Sequence, residues 1–150
     1  MPQWWAPPDQ ELIEDGRSAE DDAQFGLMLN AIPDLYLTAR VHILLDTTYA
    51  SRFWTLMEAW CAMMATTVDG VRAATEAERR FTIECLHNAD PNFDKPKLIS
   101  FLSQKTPEEM YTILASPDVN VTNQRDKETH LPQVRKTDDH VKEMMAATLH

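Results

Sequence analysis

Glycine is almost missing from this chain, with three in 150 residues. Phosphate-cradling loops need several positions without a Cβ, and neither GxGxxG nor GxxxxGK[ST] occurs, which argues against both common nucleotide-binding fingerprints. Cysteine is as sparse. Cys61 and Cys85 sit in apolar settings and read as reduced, buried thiols of an intracellular, cytoplasmic protein rather than as a disulfide. Positive charge is also short: 14 Lys and Arg against 24 Asp and Glu leave a formal charge of −10. That balance opposes binding to nucleic acid or to an anionic membrane surface. No apolar run reaches the ~20 residues of a spanning helix. The opening Met-Pro-Gln-Trp-Trp lacks the basic region of a signal peptide. The five histidines (42, 87, 130, 140 and 150) show neither HxxxH nor HExxH spacing. Cys85-x-His87 lacks companion ligands, so no metal site is expected. No GxSxG elbow is present.

What is there reads as one domain preceded by an arm. Residues 1–17 are rich in proline and acid, and Pro7-Pro8 and Asp15-Gly16 mark turns, so an irregular arm is expected. Its indoles, Trp4 and Trp5, are expected to dock on the domain at 18–150. Ser18 and Asp21 form a capping box, Phe25, Met28, Leu29 and Ile32 follow at helical spacing, and Pro33 marks an end or a kink. Val41–Leu45 and Phe81–Leu86 read as strands. Ser51 is the expected N-cap of a helix running to about residue 65. The stretch from Asp69 to Arg80 reads as a charged connector. Lys97–Gln104 gives a short helix. Thr106-Pro107-Glu108-Glu109 starts another that runs to about Ser116. Val119–Thr122 is a candidate third strand, Asn123–Lys136 a polar loop, and Asp138–Leu149 a last helix. Alternating strands and helices predict an α/β fold with a mainly parallel sheet of few strands, flanked by helices. So few strands suggest that the arm adds one, or that the chain is a truncated form of a larger domain.

Between Phe53 and Val68 stands a single charge, Glu58. Phe53, Leu56, Met57, Trp60, Met63 and Met64 make one broad apolar face of the predicted helix. Glu58 points the other way, among Ser51, Trp54, Thr55, Cys61, Ala62 and Ala65. A helix apolar nearly all round is buried, and an unpaired carboxylate in such a setting is costly. Three readings follow. Glu58 pairs with Arg40, Arg52 or Arg79 and anchors the helix, or it is catalytic, or it meets a protein partner. Ligands of open α/β sheets bind beyond the carboxyl ends of the strands. Asp46, Thr47, Thr48, Tyr49 and Ser51 fall at one such end, His87 and Asn88 at the other. Cys61 and the Met57, Met63 and Met64 surface read as packing.

Two stretches carry a family likeness. Residues 24–46 (QFGLMLNAIPDLYLTARVHILLD) resemble the helix-to-strand region of fungal heterokaryon-incompatibility (HET) domains. Residues 49–58 (YASRFWTLME) resemble both the R.W..QE segment of that family and the S.W...E helix of Toll/interleukin-1 receptor (TIR) domains. SRFW, ERR.TI, HNA, KTPEE and VTNQRDK extend the likeness to TIR/HET-like proteins of algae and other protists. Met57 stands where HET domains often carry Gln, and the first strand of the family pattern is missing. The resemblance implies a flavodoxin- or TIR-like fold, incomplete at its start, in a signalling protein. It also implies cleavage of the nicotinamide–ribose bond of NAD, with NAD as substrate rather than cofactor. Glu58 would take the family's catalytic glutamate position, and Trp54, Tyr49, Ser51 and Asp46 would shape the substrate pocket. The alternative is a noncatalytic interaction module whose helix 51–65 packs on a protein partner or on its own copy.

Overall fold

The chain alternates helices and short strands along a small parallel sheet. A computed structural model describes residues 18–149. The expected arm at 1–17, with Trp4 and Trp5, lies outside the described residues. Contacts divide the chain into two units, Met1–Ala31 and Ile32–His150. The described part of the first unit, residues 18–31, opens a helix, α1 (Ala19–Thr38). The Ser18 hydroxyl accepts from the Asp21 backbone N–H, and the Asp21 carboxylate accepts from the Ser18 N–H, both near 3 Å. This reciprocal pairing satisfies donors that every helix start leaves open.

Helix α1 passes through Pro33 rather than stopping there. Proline forfeits one backbone hydrogen bond, but burial past it offsets the loss: Leu37 is in the core of the second unit. Strand β1 (Val41–Leu45) follows, then a single 3₁₀ turn at Tyr49–Ser51 and helix α2 (Phe53–Met63). Serine 51 is not its N-cap. Its hydroxyl donates to the Thr48 carbonyl at 2.8 Å inside the 3₁₀ turn, and Arg52 takes the cap position without a side-chain bond.

Helix α2 gives way at Met64 to a hairpin, β2 (Met64–Thr67) and β3 (Gly70–Ala73), where the helix was expected to run to about residue 65 and a charged connector to begin at Asp69. Gly70 makes this turn feasible. Its φ is +117°, and a Cβ there would sit 2.4 Å from Asp138 Oδ1. That same oxygen accepts the Val71 N–H at 2.8 Å, so the close approach serves a bond between hairpin and C-terminal helix.

Strand β4 (Phe81–Cys85) pairs parallel with β1, Val41 opposite Phe81 through Leu45 opposite Cys85. Alternation sets its faces: Ile43, Leu45, Phe81 and Ile83 are buried, whereas His42, Leu44, Thr82 and Glu84 are exposed. Helices α3 (Asp94–Leu102), α4 (Pro107–Ala115), α5 (Gln124–Arg135) and α6 (Thr137–Thr148) complete the fold. The expected third strand shrinks to one parallel bridge. Asn120 bonds through its N–H to the Ser51 carbonyl at 2.7 Å and accepts the Phe53 N–H at 2.8 Å.

The expected loop at 123–136 is helix α5. Asn123 caps it by accepting the Arg125 N–H at 3.1 Å. Lys127, His130, Leu131 and Val134, at i, i+3, i+4 and i+7, make its inward stripe, with Leu131 half-buried. Two of those four are polar, so the stripe does not read as apolar in the sequence. Pro132 falls late enough in the helix to leave the capped end intact.

Helix α2 is the centre of the core. Phe53, Leu56, Ala59, Trp60, Ala62 and Met63 are each at most 1% exposed. The Trp60 indole N–H donates to the Lys105 carbonyl at 2.9 Å, which satisfies its polar edge inside the apolar mass.

Candidate functional site

On α2 three residues, Trp54, Thr55 and Glu58, are half-buried, and the other eight are buried. They share one stripe, since positions i and i+4 lie on the same face. The isolated carboxylate is therefore where the sequence puts it, on the narrow free margin of a core helix. None of its expected arginine partners reaches it. Arg52 pairs with Asp46 at 3.5 Å and Arg79 with Glu76 at 3.4 Å, and Arg40 forms no ion pair among the described residues.

Tyr36 takes that place instead, its phenol near enough to the Glu58 carboxylate for each group to shift the acidity of the other. Burial raises the Glu58 carboxyl above its ordinary value, and the neighbouring Tyr36 phenol opposes the rise without cancelling it. The Tyr36 hydroxyl is itself pushed up, first by burial and then by the Glu58 charge. Tyr49, 7% exposed, is raised further by the same two causes. Two phenols and one carboxylate thus form a cluster with no counter-charge in contact with Glu58 among the described residues. Cys61 is fully buried nearby, and desolvation pushes its thiol up to about 12, with Glu58 adding to the rise. Such a thiol stays protonated and is inert as a nucleophile. Cys85 is half-buried, and both cysteines are free.

The carboxyl edge of the parallel pair adjoins this cluster. Asp46 accepts from the Thr48 N–H at 3.0 Å and from its hydroxyl at 2.9 Å. Those bonds, with the Arg52 charge adding to them, hold its carboxyl below the ordinary carboxylate value. Arg52 also lies 5.9 Å from the centre of the Tyr49 ring. His87 follows β4 with φ +53°, a left-handed backbone that residues other than glycine seldom adopt. Tyr36 is the member that sequence reasoning missed. Its only signal was helical spacing continuing beyond Pro33.

The other expected pocket residues are already engaged. Trp54 meets Phe53 edge-on, ring centres 5.4 Å apart, and His130 at 5.0 Å. Ser51 is tied into the 3₁₀ turn. A groove of about 470 Å³ opens elsewhere, between the end of α4, residues 117–121 and the first turns of α5, and neither Glu58 nor any other expected site residue lines it. Among the described residues no group of three or more His, Cys, Asp or Glu is placed to hold a metal. No helix among them is long and apolar enough to cross a membrane. With eight of its residues buried, α2 offers a partner only the Trp54, Thr55 and Glu58 margin. Comparison with family models, with curated proteins and with solved structures finds no match for the chain.

Proposed function

We propose that this chain is a TIR/HET-like signalling domain that cleaves the nicotinamide–ribose bond of NAD, with Glu58 as the catalytic residue. One observation carries the reading: a carboxylate held half-buried on a core helix, beside the Tyr36 phenol, with no cationic partner among the described residues. In the reaction the bond between ribose C1′ and the nicotinamide nitrogen breaks, and its electron pair leaves with neutral nicotinamide. Positive charge then develops on the ribose ring. An ionised carboxylate in a partly desolvated setting stabilises that charge more than bulk water does. Water adds to C1′, and its proton passes to Glu58 and then to solvent, giving ADP-ribose. Tyr36 would hold the carboxylate in place, and the half-exposed Trp54 indole would offer an aromatic edge to the nucleoside.

Nicotinamide release from NAD, followed at high protein concentration, tests this. The wild-type trace should rise above buffer, and Glu58→Ala should lower it by at least about 100-fold. Equal traces for the two proteins, or none above buffer, defeat the enzyme reading.

The second reading is a noncatalytic interaction module. It is favoured by the engagement of Asp46, Ser51 and Trp54 in bonds and ring contacts of their own. Self-association that rises with concentration in sedimentation, and is lost on Trp54→Ala, would support it.

A further inference from the structure

The groove at the α4–α5 junction carries charge of both signs on apolar walls. Val119, Val121 and Leu131 supply the apolar surface. Lys127 lines it too and is only 7% exposed. Its ammonium donates to the Ser116 and Val119 carbonyls, each at 2.9 Å. An ammonium has three donors, so one has no partner among the described residues. No carboxylate among the described residues pairs with it. Burying a charge against neutral carbonyls alone leaves much of its desolvation cost uncompensated. An anion arriving through the groove would supply what is missing.

Glu128 also lines the groove, exposed and without an ion pair among the described residues. Successive helical residues project about 100° apart, so Lys127 and Glu128 present opposite charges at separate points rather than neutralising one another. A purely anionic ligand must approach a chain of formal charge −10. A zwitterion escapes that repulsion and has a use for both charges. The groove volume of about 470 Å³ lies inside the roughly 300–1,000 Å³ span of small-ligand sites.

We propose that this groove binds a free aliphatic α-amino acid. The α-carboxylate sits on the Lys127 ammonium, the α-ammonium faces Glu128, and the side chain lies along Val119, Val121 and Leu131. The site is separate from the Glu58 cluster and stands whether or not the chain cleaves NAD.

Titration of the ¹⁵N-labelled chain with L-leucine, N-acetyl-leucine and leucinamide, followed by amide chemical shifts, tests it. Leucine at millimolar concentration should move resonances of residues 116–131 saturably. Each blocked analogue, lacking one charge, should bind at least about tenfold more weakly. Lys127 itself is a poor variant, because it also holds two carbonyls of the fold. Glu128→Gln and Ala115→Trp change exposed groove positions instead. The first should weaken leucine by at least about tenfold and the second abolish the response, with dispersed spectra showing that both fold. Absence of saturable shifts at 116–131 overturns the proposal, as does unchanged affinity in Glu128→Gln. N-acetyl-leucine binding as tightly as leucine would indicate a peptide carboxyl terminus as the ligand and overturns it equally. Leucinamide binding as tightly as leucine does the same.

Discussion

Glu58 shows how one side chain couples burial to acidity. Burial lifts its carboxyl above the ordinary value, and Tyr36 restores only part of the difference. The unfolded chain releases this proton at a lower pH than the folded one. Between those two values the native state binds more protons, so stability falls as pH rises, and the full penalty stands above the raised value. Glu58→Gln keeps an acceptor beside the Tyr36 phenol and removes the charge. Its thermal midpoint should exceed that of wild type at neutral pH, and the gap should close on acidification below the ordinary carboxylate range. A gap that widened in acid would contradict the assigned direction. The isolation of Glu58 was legible in the sequence, since one acid among fifteen uncharged neighbours needs only inspection. Its partner was not. Tyr36 comes from another helix, beyond a proline, and nothing local links the two residues.

At the scale of elements, local chemistry served best where caps and alternation are strong. Helix α4 begins where Thr106 and Pro107 place it. The Thr106 hydroxyl accepts the Glu109 N–H at 3.2 Å, and the Glu109 carboxylate accepts the Thr106 N–H at 3.2 Å. Thr106→Ala should cost about 1 kcal/mol in urea unfolding; a change within a few tenths would mean the cap is dispensable. Strands β1 and β4 were equally readable, because β-branched residues alternating inward and outward leave little choice of face. Helix α5 was not readable. Its inward stripe includes Lys127 and His130, buried side chains of a type usually found outside. The hairpin at 64–73 was missed for a different reason. Met64 and Ala65 continue the apolar pattern of α2, and only the return through Gly70 shows that the helix has ended.

At the scale of the whole molecule, Arg80 ties separate elements together. Its guanidinium donates to the carbonyls of Tyr36 in the last turn of α1 and Ala39 just beyond it, and of Cys61 and Met64 at the end of α2. Helix C-termini leave such carbonyls unpaired, and a cation is the favourable partner for them. The forked geometry matters, since an ammonium cannot span both ends at once. Arg80→Lys should therefore destabilise the fold by about 2 kcal/mol, with the midpoint of urea unfolding lowered and its slope unchanged. An unaltered midpoint would show that water replaces the guanidinium without loss. This contact also positions the candidate site, because it holds the Tyr36 backbone beside the helix that carries Glu58.

By itself the sequence determined the parallel strand pair, the capped helices, the core helix at 53–63 and its lone acid. Each of these follows from residues within a few positions of one another, where periodicity and capping act. Only tertiary structure decided that Tyr36 rather than an arginine meets Glu58, that Lys127 and His130 turn inward, and that a groove opens between α4 and α5. Those outcomes join residues far apart in the chain. They depend on which partners burial brings together, and a side chain's own chemistry does not specify its distant neighbours.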